Sequence, residues 1–285
     1  CACRGTAGFA HVSCLAEQAK ILFEEAEENN LGEKVLMTRW TRWHNCSLCE
    51  QSYHGVVRCA LGWACWKTFV GRPEADWHRR LAIDVLGKGL SNAKKHEDAL
   101  LVREAELSME RRLGAPERSI LVTQSNIAST YEALGRPEAL QMNRDVYSGW
   151  LRLHGEAHEK TLRAASNYAI SLVGLRRYEE AKSVLRKTMP VARRVLSESN
   201  EITLRMQWSY ALALFQDPSA TLDDLDEAAS TLEEVAPIAR RVLGGAHPTV
   251  SGIEYNLRTA RAALAAREGV KSIREGVEKM GPGDA

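Results

Sequence analysis

NYAISLVGLRRYEEAKSVL, residues 167–185, decides the fold. Its apolar and small residues follow a helical period, break at a short turn around Leu175-Arg-Arg-Tyr178, and resume as a second helical run. The pattern recurs along the chain. Alanines next to an acidic residue stand at Ala99, Ala139, Ala181 and Ala228, at steps of 40, 42 and 47. Nine positions after each come Ser108, Ser148, Pro190 and Pro237, and thirteen after each an arginine: Arg112, Arg152, Arg194 and Arg241. A second column runs through Asn126-Ile-Ala128, Asn167-Tyr-Ala169, Ser209-Tyr-Ala211 and Asn256-Leu-Arg258. Each unit is therefore a helix, a short turn and a longer second helix. Ala128, Ala169 and Ala211 let the first helix of a unit approach its partner closely. A single pair cannot bury its apolar face alone, so the units must stack into an α-solenoid over residues 77–267. Strand signals are lacking, and the expected class is mostly α. Pro190 and Pro237 are expected to kink or split their helices, since each removes an amide donor.

The units resemble tetratricopeptide repeats, in the long form found in kinesin light chain. There a unit reads Asn-Leu-Ala, then Gly-(Lys/Arg)-Tyr-x-x-Ala, and ends in Leu-Gly with His-Pro and Thr in the next loop. NYAISLVGLRRYEEAKSVL and VLGGAHPTV (242–250) are the closest stretches, and LHGEAHEKT (153–161) is a looser copy. The resemblance implies a groove lined by the first helices, in which the Asn of each unit bonds the backbone of an extended protein or peptide ligand. Asn126, Asn167 and Asn256 are the candidate peptide contacts; the alternative is that these side chains cap or bridge neighbouring helices. The arginine column reads as complementation of helix C-terminal dipoles. Residues 268–285 read as a polar capping helix and tail.

The other informative stretch is the N-terminus. Cys1-Ala-Cys3, His11-Val-Ser-Cys14 and Cys46-Ser-Leu-Cys49 are three close pairs of metal-ligand residues, and they use five of the seven cysteines. Such pairs fold around tetrahedral Zn²⁺. The competing readings are a scatter of buried thiols or a disulfide framework. No secretory leader is visible and all cysteines lie in the first quarter of the chain, so zinc in an intracellular setting is preferred. Cys59 and Cys65 have no motif around them and read as core thiols.

The order and spacing resemble the RING-CH zinc finger of membrane-associated ubiquitin ligases. Cys1-x-Cys3, seven residues, His11-x2-Cys14 and Cys46-x2-Cys49 match that family's last six ligand positions, and Tyr53 matches the aromatic after its closing pair. The PHD finger shares the ligand order but has fewer residues before its histidine. The resemblance implies a cross-brace: Cys1, Cys3, Cys46 and Cys49 around one zinc, His11 and Cys14 in a second site whose other pair would precede residue 1. The chain starts without Met, on a candidate ligand, and is read as a fragment. RING-CH ligases hold a ubiquitin-conjugating enzyme partly through an apolar residue in the first ligand loop, which is missing here, and often through a Trp where this chain has Gln18. Residues 15–30 read as a helix with Leu15, Ala19, Leu22, Phe23 and Ala26 on one face.

Net charge is +1, from 38 basic and 37 acidic residues, so no global field favours nucleic acid. The most apolar stretch, 56–70, carries Arg58 and Lys67 and falls short of the ~20 residues a membrane span needs; residues 56–76 read as an apolar connector between a zinc module at 1–55 and the repeats. No phosphate loop, dinucleotide fingerprint, nucleophile elbow or HExxH motif occurs. Two functions are expected from this sequence. One is a ubiquitin-ligase-like protein in which the zinc module positions a conjugating enzyme and the repeats recruit a protein substrate. The other is a non-enzymatic adaptor with a structural zinc module.

Overall fold

The computed structural model describes residues 10–279. Among these, twelve α-helices and one 3-10 turn carry the fold, and the sole ladder element is an isolated antiparallel bridge between Asn45 and Ser52. None of the described helices is long and apolar enough to cross a membrane. The chain divides into two compact units, Cys1–Ala139 and Leu140–Ala285.

The first unit holds α1 (Val12–Glu28), α2 (Glu33–Trp40), the 3-10 turn Thr41–Trp43, α3 (Gly55–Phe69), α4 (Trp77–Asn92), α5 (His96–Arg112) and α6 (Glu117–Ala133). The expected apolar face of α1 is buried through Ala19, Phe23 and Ala26. Phe23 meets Trp40, Phe69 and His78 edge-on at 5.4, 5.3 and 4.8 Å between ring centres, contacts worth ~0.5–1.5 kcal/mol each beyond the area they bury. Asp76 caps α4 by accepting from the His78 and Arg79 amides.

Residues 55–69, apolar nearly all round, form α3 and pack along α4. Glycines make that seam close. A Cβ at Gly62 would lie 3.1 Å from Leu86 Cα, and one at Gly89 would lie 2.8 Å from the Arg58 carbonyl oxygen. At Gly87 an added Cβ would meet the Arg103 guanidinium at 2.7 Å. The stretch therefore pairs with the first repeat helix, and its lack of a polar face follows from burial of Cys59, Leu61, Cys65 and Phe69.

The second unit holds most of α7 (Glu138–His154), then α8 (Glu159–Gly174), α9 (Tyr178–Leu196), α10 (Glu201–Phe215), α11 (Leu222–Leu243) and α12 (Pro248–Lys279). Consecutive helices from α8 to α12 pack on one another, and α8 also touches α10 and α10 touches α12, so the first helices of successive pairs lie side by side. Leu162, Leu185, Met206, Leu232 and Ile253 share one core. The expected repeat columns are in place: Ala99, Ala139, Ala181 and Ala228 are all buried, as are Ala128, Ala169 and Ala211. The expected split at the two prolines does not occur: Pro190 lies inside α9 and Pro237 inside α11, each helix running on through buried neighbours such as Ala192 and Ala239. Residues 268–279 continue α12 and do not start a helix of their own.

Candidate functional site

In the first unit, α3, α4, α5 and α6 border an open cavity of about 420 Å³, lined among others by Arg58, Lys88, His96, Arg103 and Asn126. Arg103 forms its floor. It is 2% exposed and gives Nη1 to Asp84 Oδ1 and to Glu106 Oε2, both at 2.8 Å. Lys88 Nζ holds the other Asp84 oxygen at 2.7 Å. Burial works against ionisation of Asp84, but Lys88 and Arg103 outweigh it and hold its pKa below the ordinary value. Burial dominates at Glu106 and pushes its pKa up to about 7, although Arg103 pulls the other way.

Arg58 differs from these. It is half-buried, and its one side-chain hydrogen bond runs from Nη1 to the His44 carbonyl at 3.2 Å. No carboxylate among the described residues forms an ion pair with it. Burial lowers its pKa, and only Asp84, acting at a distance, opposes that. The positive field extends to His44, whose pKa falls to about 4 through burial first, then Arg58 and Lys88. Two donors or acceptors on the cavity wall are buried and unpartnered, Asn126 Nδ2 and His96 Nδ1.

The three asparagines expected to contact a peptide meet three environments. Asn126 lines the cavity with its amide unused. Asn167, on α8, accepts from Arg205 Nη2 at 3.4 Å through Oδ1. Asn256, on α12, spends its amide on the Gly252 carbonyl one turn back at 2.9 Å, the intrahelical use that competes with a ligand role. Arg58, Lys88 and His96 were not among the sequence candidates; they come from three helices and share no motif.

Of the expected zinc ligands, Cys1 and Cys3 lie outside the described residues. His11 stands at the N-cap of α1 with Cys14 in its first turn, and Nδ1 and Sγ are 3.9 Å apart. Cys46 and Cys49 form a tight hairpin. Cys46 N–H donates to the Gln51 carbonyl at 2.9 Å, Glu50 N–H to the Cys46 carbonyl at 3.0 Å, and Leu48 N–H to Cys46 Sγ at 3.4 Å. Glu50, directly after Cys49, has φ +58°. Among the described residues no three His, Cys, Asp or Glu side chains converge. Cys59 and Cys65 are buried, and burial pushes the Cys65 thiol pKa well up, which fits core thiols.

Residues 119–194 match the tetratricopeptide-repeat family model. That stretch, from α6 to α9, carries tetratricopeptide repeats. Solved structures agree. A candidate kinesin light chain of nearly identical TPR-like repeats from Podosopora anserina matches at 17% identity and TM-score 0.52, covering 82% of this chain and 98% of that one. BtubC from P. vanneervenii matches at 13% identity and TM-score 0.51, covering 94% of each chain. At such identities the likeness is one of fold. No curated protein matches the sequence.

Proposed function

We propose that this protein is a non-enzymatic adaptor whose repeats hold an extended peptide segment of a partner protein. The observation that supports it most is the alignment of first helices: α8, α10 and α12 adjoin one another in the second unit, and Asn167 on α8 retains an amide for a peptide carbonyl. In the first unit Asn126 stands with its amide unpaired on the wall of an open cavity. Repeats of this kind use such surfaces to tether proteins, and tethering needs no catalytic group.

Structural zinc belongs to the same proposal. Cys46 and Cys49 would hold it together with Cys1 and Cys3, and the metal would cross-link the ends of the N-terminal segment; His11 and Cys14 would serve the second site. The support is the Cys46–Cys49 hairpin, with its N–H···S contact and the left-handed residue after it.

The test is peptide display on the purified full chain. A defined set of partner peptides should be retained, and Asn126→Ala and Asn167→Ala should weaken them, each by roughly the ~0.5–1.5 kcal/mol of one hydrogen bond. In parallel, the protein is mixed with ubiquitin, activating enzyme and a panel of conjugating enzymes. Zinc-dependent discharge of ubiquitin, lost in Cys46→Ser, would replace the adaptor with the ligase.

A further inference from the structure

We propose that the cavity between α3, α4, α5 and α6 is an oxyanion site that receives a phosphoryl group carried on the partner peptide. The inference rests on the adaptor reading for the peptide and on the cavity itself for the anion.

Charge comes first. Arg58, Lys88 and Arg103 bring three positive charges to the cavity, and Asp84 and Glu106 return at most two negative ones. The balance is one cation, and the geometry says which. Arg103 is paired with two carboxylates and Lys88 with one, whereas the Arg58 guanidinium has only a peptide carbonyl. A half-buried guanidinium without a counter-ion is costly to keep, and an anion from outside would relieve that cost.

Donors come next. A guanidinium presents five N–H groups in a fixed fork and an ammonium three. Arg58 uses one of its own inside the protein, and Lys88 makes one ion pair, to Asp84. Asn126 Nδ2 and His96 Nδ1 add two polar atoms with no protein partner. The set comes from four helices and exceeds what the two oxygens of a carboxylate can accept, while a phosphoryl group offers three strong acceptors. The guanidinium fork matches phosphate geometry in particular. Arg58 lies on α3, outside the repeats, so the N-terminal region supplies the cation and the repeats the remaining donors.

The experiment uses the full chain and three degenerate peptide libraries that differ only in a fixed central residue: phosphoserine, serine or glutamate. The phosphoserine library should be retained roughly tenfold better than the serine library, as expected for hydrogen bonds to a charged group. Inorganic phosphate should displace it. Arg58→Gln should abolish the preference and Lys88→Gln should reduce it, while Arg112→Gln, whose side chain pairs with Glu74 on the exposed surface, should leave it intact. Circular dichroism checks folding; should Arg58→Gln fail to fold, Arg58→Lys and Lys88→Gln decide. Equal retention of phosphoserine and serine, or full preference in the folded Arg58 variant, overturns the site and leaves the adaptor standing. Equal retention of glutamate overturns the phosphoryl assignment in favour of a carboxylate. If inorganic phosphate binds through Arg58 while no library is retained, the peptide source is overturned, and with it the adaptor reading.

Discussion

His44 and Glu106 titrate in overlapping windows with opposite effects on stability. His44 has its pKa lowered to about 4 by burial and the neighbouring cations, so the unfolded chain binds its proton more readily. Its contribution is present above the ordinary histidine pKa of ~6.5 and is lost as pH falls through about 4. Glu106 has its pKa raised to about 7, so the folded chain holds the extra proton and stability declines as pH rises from the ordinary glutamate value through about 7. Denaturant titrations across this range should show a flatter acid limb in His44→Gln than in the wild type. In Glu106→Gln the decline toward neutral pH should shrink. Arg103 bears on Glu106 directly, because it is the buried cation between that carboxylate and Asp84. Arg103→Met should cost about 3–5 kcal/mol, the scale for stranding buried partners of an ion pair, read from the urea midpoint. None of these groups is marked in the sequence. Asp84, Arg103 and Glu106 look like residues of solvated helix faces, and only the stacking of α4 on α5 shuts them in.

At the scale of the helix, sequence and structure agree most closely where period and small residues combine. The Ala181 column is legible because an alanine at a fixed place in every unit has no reason to recur except close packing, and Ala181 is fully buried. Ala181→Leu should overpack that contact and cost about 1–3 kcal/mol in thermal or urea unfolding. The turns were legible in position but not in strain. Gly135 in the LGRP turn has φ +66°, a conformation glycine adopts freely, but at the equivalent place in LRRY, Arg176 has φ +58°. Arg176→Gly should therefore raise stability, by up to ~1 kcal/mol once the extra freedom of glycine in the unfolded chain is subtracted. An unchanged or lower midpoint would show that Arg176 earns its conformation through contacts of its side chain. α3 was hardest to read, since a helix apolar nearly all round has no clear period to distinguish it from a linker.

For the molecule as a whole, the repeats were readable from sequence because they are redundant: four copies of each column report the same geometry. The cavity was not, because its lining is assembled from α3 to α6, each contributing one to three ordinary polar residues. The expected zinc ligands were conspicuous as spacing alone, and the His11–Cys14 pair and the hairpin at Cys46–Cys49 are the parts of that pattern the described residues carry. If zinc holds the N-terminal segment, a strong chelator should remove part of the helical signal near Cys46 and leave the melting of 140–279 unchanged; segment-resolved hydrogen exchange distinguishes the two. A chain cut to begin at Trp77 would uncover Leu86 and Leu90 where α3 had lain, and should aggregate. The glycine seam also bears on ancestry. Gly62 and Gly89 belong to two segments that look separable, yet a methyl group at either one meets backbone atoms across the seam. Relatives of this protein should therefore inherit the N-terminal segment and first repeat as a single piece. A lineage that exchanged either alone would have to keep glycine at the facing positions or change both sides together.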